Sequence, residues 1–196
     1  KVIKVEEIPI EVEDELLTMV EEAEIKGGID EHESKLIRSA IEFNDLDADQ
    51  ILTSRVDMIS IPKETTMEDV RKVFKENKFS RIPVYENNID NIIGVIHEKD
   101  FYDALDEKKE NIDSIIKPIL YVTSNTKISE LLKKFQYIKN HMAVVIDEFG
   151  GTMGIITLED VLEELVGEIW DEHDEVVEYF KKLDEGKYNV MCSVSL

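Results

Sequence analysis

Gly94-Val95-Ile96-His97-Glu98-Lys99-Asp100-Phe101 and Gly154-Ile155-Ile156-Thr157-Leu158-Glu159-Asp160-Val161 decide the fold of this chain. Each stretch opens on a glycine and an apolar, β-branched run, then turns polar and resumes its apolar residues at helical spacing. Each therefore predicts a strand that ends where a helix begins. The two stretches lie 60 residues apart. Upstream of them, Thr66-Met67-Glu68-Asp69-Val70-Arg71-Lys72-Val73-Phe74 matches Lys127-Ile128-Ser129-Glu130-Leu131-Leu132-Lys133-Lys134-Phe135 at a spacing of 61. Self-similarity at a fixed period marks a repeated unit that cannot bury its apolar face alone.

Working outward, strands are predicted at Met58–Ile61, Arg81–Tyr85 and Ile92–Ile96 in the first copy. Their counterparts are Leu120–Thr123, Met142–Ile146 and Met153–Ile156 in the second. Phe149-Gly150-Gly151-Thr152 is a natural hairpin connection, because glycine tolerates the positive φ of such turns. Each copy reads β-α-β-β-α. The predicted fold is α/β (α+β), two such repeats burying their open faces against each other about a pseudo-twofold axis. A cleft is expected where the strand ends of one copy face the loops of the other.

Ahead of the repeats, Val12, Leu16, Met19, Val20 and Ala23 mark a helix that Gly27 and Gly28 stop. Asp30, with Glu33 three residues on, forms a capping box for a second helix, with Leu36, Ile37, Ala40, Ile41 and Phe43 as its apolar stripe. The helix from Leu158 is read through to Trp170, and Tyr188–Val194 as a strand after a turn at Asp184-Glu185-Gly186. The chain thus divides into an acidic helical segment (1–47), a first repeat (48–110), a second (111–170) and the start of a further domain (171–196). It opens without methionine and stops in an apolar stretch, and both ends are read as cut from something longer.

The 196 residues carry a formal charge of −22, which argues against a nucleic-acid or anionic-membrane surface. One cysteine excludes an internal disulfide and a cysteine-based zinc site. No apolar run approaches the roughly 20 residues that cross a bilayer, and no signal peptide is visible. His32, His97, His141 and His173 lack metal-ligand spacing, and no nucleophile–base pair stands out, so neither a metal site nor an enzyme is expected. The acidic cluster Asp171, Glu172, Asp174 and Glu175 is read as a solvated face.

The paired units resemble CBS domains in a Bateman module. With Ile51-Leu52-Thr53-Ser54-Arg55-Val56-Asp57, Phe79-Ser80-Arg81-Ile82-Pro83-Val84-Tyr85, the Gly154–Val161 stretch and the Asp184–Leu196 start, the chain resembles the soluble part of CorC/HlyC–CNNM magnesium-transport (hemolysin-like) proteins. That resemblance implies an upstream transmembrane domain, placement on the cytoplasmic side of the cell membrane, a homodimer formed through the repeats, and an adenosine nucleotide in the cleft. ATP with Mg2+, ADP and AMP all remain open. It also implies Thr53 and the Phe79, Ser80, Arg81, Ile82, Pro83 segment as nucleotide contacts.

The residues themselves fit. Thr157 stands at a helix N-cap, where its hydroxyl and the free N–H groups can face a phosphate. Asp160, one turn on, can accept two hydrogen bonds from a ribose diol. Arg81, from the other repeat, can pair with phosphate oxygens. The plainer alternatives are that Thr157 and Asp160 only cap the helix, that Arg81 forms a surface ion pair, and that Thr53 is a helix-end hydroxyl. In the second cleft, repeat alignment turns Thr157 into His97, Asp160 into Asp100 and Arg81 into Met142, so one competent site per chain is expected. The rival reading of the whole is a structural dimerisation platform without bound nucleotide.

Overall fold

The computed structural model describes residues 10–167, 180–184 and 187–190. An antiparallel pair of helices, α1 (Ile10–Ile25) and α2 (Glu31–Glu42), comes first. Asp30 and Glu33 close the expected capping box on α2, with Glu33 N donating to Asp30 Oδ1 at 2.8 Å. The apolar stripe of this hairpin is less covered than its spacing predicts. Phe43 is buried, but Val12, Leu16, Met19 and Ile37 are exposed among the described residues.

The first repeat comprises β2 (Ile61–Pro62), α4 (Met67–Asn77), β3 (Arg81–Tyr85), β4 (Ile92–His97) and α5 (Glu98–Asp106). The second comprises β5 (Leu120–Thr123), α6 (Ile128–Ile138), β6 (Met142–Ile146), β7 (Thr152–Thr157) and α7 (Leu158–Val166). Within each, the first strand runs parallel to the second and the second antiparallel to the third. The strand expected at Met58–Ile61 begins only at Ile61. Met58 is apolar for another reason: it is buried in the cluster that joins the two repeats, with Ile92, Val95, Met142, Val144 and Ile155. Helix α7 stops at Val166 on Gly167, whose φ of 75° ends it. Residues 168–170 of the longer predicted helix, Trp170 included, lie outside the described residues, as does the 171–175 acidic cluster. At the C-terminal end, β8 (Phe180–Asp184) and β9 (Lys187–Val190) pair antiparallel.

Each repeat has its own core. Phe74 and Phe101 pack at 5.4 Å between ring centroids beneath the first sheet, and Phe135 fills the corresponding place in the second. The segments that precede the repeats cross over. Short helix α3 (Ala48–Ile51) and strand β1 (Thr53–Ser54) come before the first repeat, yet Ala48 is buried in the second repeat's core and β1 pairs antiparallel with β7. Thr53 lies opposite Ile155 and Ser54 opposite Gly154. In the same way Ile112, Ile115 and Ile116, which precede the second repeat, pack into the first repeat's core, and Lys117 bridges to Val95 of β4.

Two glycines permit this crossing. A Cβ on Gly154 would overlap the Thr53 carbonyl oxygen and lie 2.8 Å from Leu52 Cδ1. One on Gly94 would overlap the Lys117 carbonyl oxygen and lie 2.6 Å from Ile116 Cγ2. Because the obstacle is backbone, it cannot rotate aside. Gly154→Ala should therefore destabilise the fold by about 1–3 kcal/mol, the usual size of an overpacking defect. Gly28→Ala, where the nearest atom would be 3.4 Å away, serves as control. Thermal unfolding of both variants checks this, and equal midpoints would remove the argument.

Candidate functional site

Strand β1 and the starts of β3 and α7 converge on one cleft between the repeats, of about 360 Å3. It is lined by Thr53, Phe79, Ser80, Arg81, Pro83, Thr157 and Asp160, so every sequence-chosen residue but one meets there. The exception is Ile82. It is fully buried in the first repeat's core, because successive side chains of a strand point to opposite faces and Arg81 and Pro83 take the cleft side. Any contact from position 82 would have to come from its backbone.

Thr157 is the N-cap of α7. Its hydroxyl accepts from Asp160 N at 3.3 Å, and Asp160 Oδ2 accepts from Thr157 N at 2.7 Å and from its hydroxyl at 2.8 Å. The plain capping role is thus real, but it uses one carboxylate oxygen and leaves Oδ1 for a ligand hydroxyl. The start of α7 adds the positive end of a helix dipole to the cleft.

Arg81 enters from the first strand position of β3, and its side chain is only 19% exposed. Its one ion-pair partner among the described residues is Glu159, whose Oε1 lies 3.8 Å from Nη1, and its Nε has no hydrogen-bond partner. A largely buried guanidinium with a free donor is an incomplete arrangement, because unsatisfied buried donors are costly. An anionic group in the cleft would complete it.

Asp57, Met58, Ile59, Lys78, Met142, Ile155 and Glu159 also line the cleft, and the sequence motifs do not single them out as site residues. A signal exists for two of them. Glu159 sits inside the Thr157–Asp160 motif, and Lys78 ends α4 in the left-handed conformation (φ 56°), as Lys139 ends α6 (φ 51°). Repeat alignment assigns Met142 to the second cleft. It lines the first instead, beside Thr157, its partner in the antiparallel register.

The second cleft is about 420 Å3 and is lined by His97, Lys117, Pro118, Ile119, Leu120, Ile138, Lys139 and Asn140. Repeat alignment gives this cleft no counterpart of the Arg81 guanidinium, but two lysines, Lys117 and Lys139, line it. Among the described residues no three His, Cys, Asp or Glu side chains converge to hold a metal ion.

The family model for the CBS domain matches residues 48–107 and 111–167. The CBS domain of a bacterial CNNM/CorC family Mg2+ transporter superposes with a TM-score of 0.74 at 42% identity, covering 81% of this chain and 98% of that one. This chain belongs to the CBS-domain family, as a tandem pair of the CorC/CNNM type. The same kind of CBS domain in complex with ATP aligns at 43% identity and a TM-score of 0.66, over 70% of this chain and 99% of the other. A CBS-domain pair from Klebsiella pneumoniae with bound AMP aligns at 28% identity and a TM-score of 0.55, over 62% and 99%. Hemolysin C of Brachyspira hyodysenteriae is 41% identical over 164 residues, 84% of this chain and 61% of that protein. A DUF21 domain-containing chloroplastic protein of Arabidopsis thaliana is 38% identical over 199 residues, 96% of this chain and 30% of that protein. The chain therefore spans about a third to three fifths of these curated relatives. CBS pairs of this type are regulatory and non-enzymatic. No helix among the described residues is long and apolar enough to cross a membrane.

His97, in the second cleft, is held below its ordinary pKa of 6.5 by burial first, then by the Lys117 and Arg81 cations and more weakly by His141, with Asp100 opposing. The unfolded chain therefore takes up this proton first on acidification, and the contribution of His97 to stability falls as pH drops from about 6.5 toward the folded value. Lys117→Met removes one of those cations. The midpoint of the His97 ring signals, followed by NMR, should then rise toward 6.5; an unmoved midpoint would mean that the ammonium acts elsewhere.

Proposed function

We propose that this chain is the adenosine-nucleotide-sensing module of a magnesium or other divalent-cation transporter, and that Mg-ATP is its ligand in the cleft lined by Arg81, Thr157 and Asp160. The observation that carries this reading is the convergence of a half-satisfied guanidinium from one repeat with a hydroxyl–carboxylate pair from the other. The ATP-bound and AMP-bound relatives support it.

Each side chain has a role in this reading. Arg81 takes phosphate oxygens, helped by the helix dipole and the N–H groups at the start of α7. Asp160 Oδ1 accepts from the ribose diol. Met58, Ile59 and Ile155 give the adenine ring an apolar seat, with Thr53, Phe79, Ser80 and Pro83 around it. Mg2+ enters with the nucleotide. Asp57, Glu159 and Asp160 put three carboxylates against the cations Lys78 and Arg81 in this cleft, on a chain of −22. A bare polyphosphate meets that field unfavourably, and a bound divalent ion cancels about two of its charges.

The reach of the signal is also readable. Helix α7, which begins at the ligand end, packs against α2 of the N-terminal hairpin. In the full-length protein that hairpin would lead to the transmembrane domain, placing this module on the cytoplasmic side, and the repeats would pair into a homodimer.

Isothermal titration in the presence and absence of Mg2+ tests the reading. Binding of ATP should weaken at least about tenfold in chelator, a difference of about 1.4 kcal/mol. Arg81→Ala should weaken ATP by a factor of about ten or more and adenosine little, while Asp160→Asn should weaken both, as loss of hydrogen bonds to a charged group predicts. A native-state ligand must raise the melting temperature. If ATP, ADP and AMP all leave melting unchanged, the module is a dimerisation platform and the nucleotide reading fails.

A further inference from the structure

We infer that Lys117 is the residue that closes the second cleft to nucleosides, by holding the carboxylate that a ribose would need. The inference rests on the reading of Asp160 as the ribose-binding carboxylate of the first cleft.

The pseudo-twofold places Lys117 where Thr53 stands. Thr53 crosses over Gly154 and lies opposite Ile155; Lys117 crosses over Gly94 and bridges to Val95. Both partners are repeat equivalents, 60 residues apart. By the same relation Asp100 stands where Asp160 stands, each on the first turn of the helix that follows its repeat's last strand, but Asp160 lines its cleft whereas the second is lined by Lys117 and not by Asp100. The short Thr53 hydroxyl cannot reach across its cleft as a charged group would. A lysine at the same backbone position can.

The two carboxylates are accordingly held in different ways. Asp160 is fixed by the Thr157 N–H and hydroxyl through one oxygen, and its other oxygen remains for a ligand. Asp100 has no such cap, because His97 makes no side-chain capping bond to α5 and its Nδ1 lies 3.9 Å from Asp100 Oδ2. Lys117 Nζ sits 2.6 Å from that oxygen instead, an ion contact outside hydrogen-bond geometry, since Asp100 Oδ2 has no hydrogen-bond partner among the described residues. This is a close ion contact in a partly shielded place, with the Asp100 side chain 29% exposed. A ribose hydroxyl at this carboxylate would have to displace the ammonium and leave a partly shielded charge without its counter-ion.

Neither size nor charge accounts for a silent second cleft. Space is not the obstacle, since this cleft is about 420 Å3 against about 360 Å3 for the first. Lack of positive charge is not the obstacle either, since Lys117 and Lys139 both line it. The lack of an Arg81 counterpart would weaken phosphate binding there but leave an uncharged nucleoside unaffected. A block at the ribose carboxylate acts on nucleosides and nucleotides alike.

The test uses adenosine, which needs no phosphate-binding cation, with AMP beside it, in calorimetric titrations of the whole chain. Wild type should bind one equivalent. Lys117→Thr, which installs the residue of the first cleft, should bind two, and Lys117→Thr combined with Asp100→Ala should return to one. The reciprocal change supplies a second readout. Thr53→Lys should weaken adenosine in the first cleft at least about tenfold more than Thr53→Gln, a neutral side chain of similar reach that cannot make the same ion contact. One equivalent in both wild type and Lys117→Thr overturns the inference and leaves the nucleotide reading standing. Two equal sites in wild type overturn the inference as well. No binding in any variant takes down both.

Discussion

The structure depends on two backbone crossings with no room for a side chain. Where β1 passes over Gly154, and where the segment ending at Lys117 passes over Gly94, a single Cβ would collide with a carbonyl group. These crossings exchange the leading segments of the repeats, so that Ala48 seals the second core and Ile112 the first. Neither repeat is complete without a piece of chain that belongs, in sequence, to its neighbour's side. That exchange ties the repeats together beyond the apolar contact of Met58, Val95, Met142, Val144 and Ile155. It also brings Thr53 within one cleft with Thr157, although 104 positions separate them along the chain. Asp90 adds a polar tie of the same kind. It receives Arg55 at 2.5 and 3.1 Å, and its Oδ1 accepts from the backbone N–H of Thr152 at 3.2 Å.

What can be read from the sequence follows from how each signal is written. Strands of four or more residues, such as β3, β5 and β6, announce themselves as apolar runs, and their limits agree with the expected ones. The first repeat's leading strand does not. Only Ile61 and Pro62 pair, and two residues carry no period. Met58 then looks like strand when it is buried between the repeats. Strand β1 is equally short, and nothing in Thr53-Ser54 says that its partner is the last strand of the second repeat. The repeat period discloses the two-unit architecture, whereas the exchange of segments needs coordinates.

The same distinction holds at the candidate site. Thr157 and Asp160 are legible because a strand-to-helix switch and an N-cap leave a local pattern. Arg81 is legible because a cation set among Phe79, Ile82 and Pro83 is conspicuous. Ile82 is misplaced by sequence because β3 is buried on both faces, so alternation in hydrophobicity does not tell core side from cleft side. Met142 is misplaced because a one-to-one repeat alignment does not fix which cleft a side chain faces. The register sets Arg81 beside His97 in one repeat and Met142 beside Thr157 in the other, yet Arg81 and Met142 both line the first cleft, so neither repeat alignment nor strand pairing by itself assigns a residue to a cleft.

The clefts differ in charge logic as well as in residues. In the first, Arg81 has among the described residues only Glu159 at 3.8 Å, a distance beyond an ordinary hydrogen bond, so its charge is weakly compensated there. In the second, Lys117 and Asp100 compensate each other at 2.6 Å. A duplicated scaffold with one answered and one unanswered cation is asymmetric before any ligand arrives. Under the proposed function this asymmetry has a mechanical consequence. A ligand can shift a conformational balance only by its difference in affinity between the two states, commonly about 1–3 kcal/mol of coupling. With one competent cleft, that whole difference falls on the element that begins there, α7, and passes to α2 against which it packs. Helix α5, which begins at the second cleft, packs against β4 and the turn at Asp113–Ile115 instead. A ligand there would press on the first repeat's own core and not on the hairpin, so the cleft left open is the one from which a signal has a path outward.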